Sequence, residues 1–197
     1  MEQPDQSIAL SRFRNKLESF TPFTDAEFSL WTSMLHQKHV SKGEVLLKEG
    51  QVCRHFYFIV KGCLRSFSIE EGREVNLNFY FEDDFACDFD SFRYEEPSRF
   101  YIVAMEDALV YTASKSEALP VLQSGSVFSL FLFRFFQDQY FKETEHSNSF
   151  KLLTPDQRYN FLLKHTPHYL QRIPVLHLAS YLGMSRETLT RIRRKMS

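Results

Sequence analysis

An α+β chain is predicted: an antiparallel β jelly roll, a long apolar helix suited to dimerisation, and a C-terminal helix-turn-helix domain of the winged type. Three observations predict it. Short β-rich runs at Glu44–Lys48, His55–Val60, Cys63–Ile69, Val75–Phe81, Phe100–Met105 and Ala108–Thr112 are separated by turn residues including Gly43, Gly50, Gly62 and Gly72, the texture of an antiparallel sandwich or barrel. Ser126 to about Thr144 is apolar nearly all round, so as a helix it must be buried on more than one side. Val175–Lys195 reads as two short helices about Gly183, the second with a basic outer face.

Taken in order, Ser11–Phe20 is expected to be a short helix, and Thr24-Asp-Ala-Glu27 is a capping box that opens another. That second helix carries Phe28, Trp31 and Leu35 on one face. The β-rich texture begins at Val40, and Glu71-Gly72 supplies a tight hairpin turn. Ser114-Lys-Ser-Glu117 is a second capping box, starting a helix interrupted near Pro120 and Gly125. In the long helix one side can lie on the β-domain. The other needs a second surface, most economically the same helix of a partner subunit. Phe128, Phe131, Leu132, Phe135, Phe136 and Gln139 are the expected interface, against the alternative of a wholly intramolecular core helix. Ser147-Asn-Ser149 is expected to loosen the chain, and Tyr159, Leu162 and Leu163 to mark a further amphipathic helix. The domains are then 1–113, 114–149 and 150–197.

At the C-terminus Val175, Leu178, Ala179 and Leu182 fall on one helical face. Pro174 suits the first helical position, and Gly183 can take the left-handed conformation that closes a last turn. Ser185 can cap the next helix, whose inner face is Leu189, Ile192 and Met196. Its outer face carries Arg186, Glu187, Thr190, Arg191 and Arg194. Arginine offers a planar fork that matches the O6 and N7 acceptors of guanine, and glutamate can accept from the cytosine amino group. The first turn of a recognition helix is the part that reaches base edges in the major groove. Double-stranded DNA is therefore the expected partner, with Ser185, Arg186, Glu187, Thr190, Arg191 and Arg194 as its contacts. The plainer alternative is a solvated face on a helical hairpin.

The formal net charge of -1 over 197 residues hides an asymmetry. From Lys151 onward nine Lys/Arg face only Asp156 and Glu187, a balance of +7, while 15 Lys/Arg and 23 Asp/Glu before it give -8. An acidic body with a basic end suits a polyanion bound at that end. Three cysteines, Cys53, Cys63 and Cys87, are too few for a disulfide framework, and a reducing cytoplasm is the expected location. The N-terminal MEQPDQSIALSRF lacks the basic-then-apolar order of a secretory signal, and Val127–Phe136 is too short to span a bilayer. No Ser/His/Asp arrangement, P-loop or dinucleotide-binding glycine pattern is present. A cupin-like metalloenzyme would need converging histidines, yet His36 and His39 precede the roll, His55 stands alone, and no His-x-His pair occurs. The acids between Asp83 and Asp90 lack calcium-loop spacing. No enzyme, metal or membrane partner is expected.

This arrangement resembles the CRP/FNR family of bacterial transcription regulators over nearly the whole chain. Ser41-Lys-Gly43-Glu-Val-Leu, Glu49-Gly50, Phe56-Tyr-Phe-Ile-Val-Lys-Gly62 and Glu71-Gly72-Arg73-Glu74 look like its glycine-marked β-roll. Leu178-Ala-Ser-Tyr-Leu-Gly183 followed by Ser185-Arg-Glu-Thr-Leu-Thr-Arg191 is similar to its two DNA-domain helices. The resemblance implies a homodimer reading a palindromic TGTGA-like site through Arg186, Glu187 and Arg191, with RNA polymerase as a further partner. Family members that bind cyclic nucleotides cradle the phosphate with a Gly-Glu pair and an Arg-Ser pair. Aligned without gaps from Asp84-Phe85, those positions become Cys87-Asp88 and Ser98-Arg99. Cysteine cannot give glycine's close backbone approach, and the surrounding acids repel an anion. The expectation is an effector pocket of Cys87, Asp88, Ser98, Arg99, Phe100 and Tyr101 that does not take cAMP, with an unidentified effector or none and no cofactor. A sensor whose C-terminal helices contact only protein is a third reading.

Overall fold

The computed structural model describes residues 6–196, apart from the side chains of Gln6 and Met196. The inward side chain expected of Met196 and part of the N-terminal stretch thus lie outside the described residues. In chain order the elements are α1 Gln6–Glu18, α2 Asp25–Ser33, β1 His36–Val40, β2 Val45–Leu47, β3 His55–Lys61, β4 Leu64–Glu70, β5 Arg73–Tyr80 and β6 Phe85–Ala86. They continue as α3 Phe89–Tyr94, β7 Tyr101–Ala104, β8 Ala108–Ser114, α4 Lys115–Gln123, α5 Ser126–Leu152, α6 Pro155–His165, α7 Tyr169–Arg172, α8 Val175–Tyr181 and α9 Arg186–Met196. Two compact units result, their described residues being 6–66 with 79–137, and 67–78 with 138–196.

The strands form two four-stranded sheets, ordered β1-β8-β3-β6 and β2-β7-β4-β5. β8 pairs antiparallel with both β1 and β3, and β3 pairs antiparallel with β6. The expected β-roll is therefore present, with two strands the residue pattern did not announce. β1, His-Gln-Lys-His-Val, buries only Val40 and lies at a sheet edge, so it has no apolar alternation to read. β6 is two residues long. Between β4 and β5, Glu71 (φ 51°) and Gly72 (φ 77°) both take positive φ, the requirement of a tight two-residue hairpin loop.

The core is strongly aromatic. α1 starts five residues before the expected Ser11 and turns Ala9, Phe13 and Leu17 inward, spaced i, i+4, i+8 along one face. The Phe13 ring stands 4.9 Å from Phe58 and 6.1 Å from Trp31, edge-on to both, a favourable quadrupole arrangement. Both expected capping boxes form. Thr24 and Glu27 open α2, and Ser114 and Glu117 open α4. α4 is not broken at Pro120 but continues to Gln123, giving up one intrahelical donor.

α5 is longer than expected, 27 residues or roughly 40 Å, and it runs straight through Ser147-Asn-Ser149. Packing outweighs the weak helix preference of those residues: His146 stacks on Phe150 at 5.0 Å and meets Tyr181 edge-on at 4.4 Å. Burial accordingly pushes the His146 imidazole below its ordinary value. The expected dimer interface needs correction on this helix. Phe128, Phe131 and Phe135 are 2 %, 4 % and 4 % exposed, because at i, i+3 and i+7 they form the face that meets Phe20, Phe23, Trp31, Phe85 and Phe89. Leu132 packs partly against the same core, and Gln139 is half-buried and donates to Asp138. Phe136 alone of the six is exposed. The other large apolar side chains that α5 leaves exposed are Leu130, Phe133, Tyr140, Phe141, Phe150 and Leu152. Among the described residues no single helix is long and apolar enough to cross a membrane.

Candidate functional site

In the second unit α6 begins at a capping box made by Thr154 and Gln157, with Pro155 in its first turn. It buries Tyr159 and Leu162. Pro174 stands just before α8 rather than inside it. α8 buries Leu178 and Ala179, and α9 buries Leu189 and Ile192. The small Ala179 lets the two helices approach where they pack.

The turn between α8 and α9 is fully satisfied. Met184 donates its N–H to the Ala179 carbonyl at 3.0 Å and Gly183 donates to Ser180 at 3.0 Å, the two bonds of a Schellman motif. Gly183 sits at φ +61°, and a Cβ there would lie 2.6 Å from the Phe150 ring. Glycine is therefore required both for the backbone and for the neighbour. Arg158 closes the arrangement. Its guanidinium donates to the carbonyls of Leu182 and Leu153 at 2.9 Å each and lies over Phe150 at 5.1 Å. Sequence reasoning counted Arg158 only as positive charge; nothing in its local pattern reveals a partner 24 residues away. Ser180 ties α8 to β5, accepting from Asn76 N–H at 3.0 Å and donating to the Glu74 carbonyl at 3.0 Å.

Ser185 caps α9 by accepting from Thr188 N–H at 3.1 Å. Beyond it Arg186, Glu187, Thr190, Arg191 and Arg194 are all exposed, as is Ser185 itself. The three arginines make no salt bridge among the described residues. The Glu187 carboxyl is held below its ordinary value by its own backbone N–H, by Ser185 and by nearby Arg186, so it stands ionised as an acceptor. A row of open guanidinium forks around one carboxylate can meet a polyanion that also offers hydrogen-bonding edges. The winged expectation is not met among the described residues, since 155–196 hold helices and no strands.

In the first unit the expected effector residues occupy the segment from β6 to β7. Asp88 is buried and caps α3, accepting from Ser91 N–H at 3.1 Å. Ser98 is buried and donates to the Phe100 carbonyl at 2.9 Å. Arg99 is exposed, and Phe100 and Tyr101 are half-buried. Cys87 is buried with its Sγ 3.7 Å from the Sγ of Cys53. The thiol, the capping carboxylate and the hydroxyl are thus each engaged within the chain. The cavity here, about 420 Å³, is lined instead by Leu46, Leu47, Gln51, Val52, Cys53, Arg54, His55 and Tyr57. None of the six expected residues lines it. Of the six, Ser98 is tied to its wall by donating its N–H to the Gln51 carbonyl at 2.8 Å, and Cys87 by its contact with Cys53. Burial pushes the Tyr57 phenol up.

The first unit thus carries a short helix after β6 and a capped helix after β8. Residues 37–124 match the cyclic nucleotide-binding domain family. The matched segment runs from β1 to the end of α4. Among curated proteins none matches the chain. Solved structures share its fold. FixK2 from Bradyrhizobium japonicum aligns with a TM-score of 0.71 at 17% identity, covering 82% of this chain and 84% of that one. A protein of Eubacterium rectale assigned to the crp/fnr family of transcriptional regulators aligns at 0.68 and 19%, covering 92% and 87%. The catabolite activator protein of Thermus thermophilus aligns at 0.58 and 19%, covering 92% and 86%.

Proposed function

We propose that the chain is a sequence-specific DNA-binding transcriptional regulator of the CRP/FNR type, a homodimer that reads a palindromic TGTGA-like site and is not switched by cAMP. The observation that carries this reading is the division of α9: Leu189 and Ile192 are core, while Arg186, Glu187, Thr190, Arg191 and Arg194 stand clear. With α9 in the major groove, Arg186 and Arg191 pair with guanine edges and Glu187 accepts from a cytosine amino group. Ser185, Thr190 and Arg194 take phosphates, which position the helix without specifying sequence. Two copies joined along α5 through Phe133, Phe136 and Tyr140 present two such helices to two half-sites. RNA polymerase is the further protein partner that the resemblance to CRP/FNR regulators suggests. The competing metalloenzyme reading needs a converging donor set, and among the described residues no three His, Cys, Asp or Glu are placed to hold a metal ion.

The test is fluorescence anisotropy with a duplex carrying two inverted TGTGA half-sites and with a scrambled duplex, at low and moderate salt. The expected result is preference for the palindrome and affinity that falls steeply as salt rises, through counterion release. Arg186→Ala should weaken palindrome binding by about 5- to 150-fold, the loss of one bidentate guanine contact worth about 1–3 kcal/mol. Added cAMP should leave it unchanged. Equal affinity for both duplexes, or an Arg186→Ala variant that binds as tightly as the parent, removes the reading; absence of duplex binding leaves the protein-contact alternative.

A further inference from the structure

We propose that Cys53 and Cys87 form a reactive dithiol in the β-roll that reduces a small hydroperoxide and closes to an intramolecular disulfide. The pairing of β3 with β6, Tyr57 opposite Ala86 and Phe58 opposite Phe85, returns the residue after β6 past the loop before β3. Two sulfurs 34 positions apart in sequence thereby come to 3.7 Å, both buried. The pair is unequal. The Cys53 thiol is lowered first by the hydrogen bond from Cys87 and then by the backbone N–H of Asp88, whereas burial raises Cys87 well above its ordinary value. Cys53 is thus the sulfur that reaches the thiolate, the form that attacks. It is also the one that lines the 420 Å³ cavity, which admits a molecule of water or peroxide size.

The Cys53 thiolate attacks one oxygen of the hydroperoxide. An S–O bond forms, the O–O bond breaks, and the departing oxygen leaves as water or alcohol after taking a proton, leaving Cys53 as a sulfenic acid. The Cys87 sulfur then displaces that hydroxyl. The S–S bond forms, the S–O bond breaks, and hydroxide leaves with the Cys87 proton as a second water. Two electrons pass from the two thiols to the peroxide. The sulfurs close from 3.7 Å to a bond of about 2.05 Å. This draws the Gln51–His55 loop toward the start of α3, where Phe89 packs on Phe135 and Phe136 of α5 at 5.1 and 5.5 Å. Cys63 lies elsewhere, its Sγ 3.8 Å from Met105 Sδ, and takes no part. The reaction does not depend on the DNA-binding reading.

The experiment uses the reduced full chain and hydrogen peroxide at a small molar excess, followed by alkylation, intact mass and peptide mapping. The expected product has lost two hydrogens, carries a Cys53–Cys87 linked peptide, keeps Cys63 alkylated, and returns to three alkylatable thiols with dithiothreitol. Cys87→Ser should stop at a dimedone-reactive sulfenic acid on Cys53. Cys53→Ser should lose peroxide in the first step about ten-fold or more slowly. The proposal is overturned if the parent chain keeps all three thiols, if Cys63 is consumed first, or if the linkage joins two chains; these readouts need no variant. Melting curves of both serine variants show whether each is folded before its rate is compared.

Discussion

Gly183→Ala is the sharpest probe of the helix-turn-helix. The substitution acts twice. It places an L-residue at φ +61°, which costs about 1–2 kcal/mol. It also sets a Cβ 2.6 Å from Phe150 Cε1 and 3.2 Å from Cδ1, so the ring must move. That ring is held between His146, stacked at 5.0 Å, and the Arg158 guanidinium at 5.1 Å, and forcing such a displacement costs a further roughly 1–3 kcal/mol. The expected total is about 2–5 kcal/mol. Urea unfolding followed by circular dichroism at 222 nm reads it, since Trp31 fluorescence reports the other unit. In a Phe150→Ala background the same substitution should cost only the backbone part, about 1–2 kcal/mol. A cost below about 0.5 kcal/mol, or one equal in both backgrounds, refutes the argument that backbone handedness and the aromatic neighbour jointly demand glycine.

Two further outcomes are expected. On α5, Phe131→Ala should cost about 3–5 kcal/mol in chemical unfolding, while Phe133→Arg should leave stability nearly unchanged and shift sedimentation toward the monomer; the reverse order would invert the assignment of inner and outer faces. At α4 the Glu117 carboxyl is lowered to about 2, chiefly by the Ser114 hydroxyl and backbone N–H and then by His36. Because the folded state holds the ionised form more tightly, the contribution is complete above the ordinary value of 4.5 and is lost as pH falls toward 2. Melting temperature against pH should therefore drop less across that window in Glu117→Gln.

Local chemistry was legible in the residues alone. The boxes at Thr24 and Ser114, the Glu71-Gly72 turn, and the Gly183–Ser185 punctuation all depend on groups within five positions of one another, and each forms. The inner and outer faces of α9 were readable because a 3.6-residue period separates Leu189 and Ile192 from the arginines. Thr154-Pro-Asp-Gln157 is an equally local signal for the start of α6.

Tertiary structure decided what had no period or lay far apart. A helix apolar on every side cannot announce which face turns inward; the aromatic neighbours Phe20, Phe23 and Trp31 chose Phe128, Phe131 and Phe135. Ser147-Asn-Ser149 stayed helical because packing of His146 and Phe150 outweighs local preference. β1 carries no alternation, being an edge strand supported by β8. The grip of Arg158 on the turn carbonyls and the meeting of Cys53 with Cys87 arise only once chain segments tens of residues apart are brought together. Short-range rules govern caps and turns, whereas the partner a side chain finds is set by which surfaces the whole chain can bury at once.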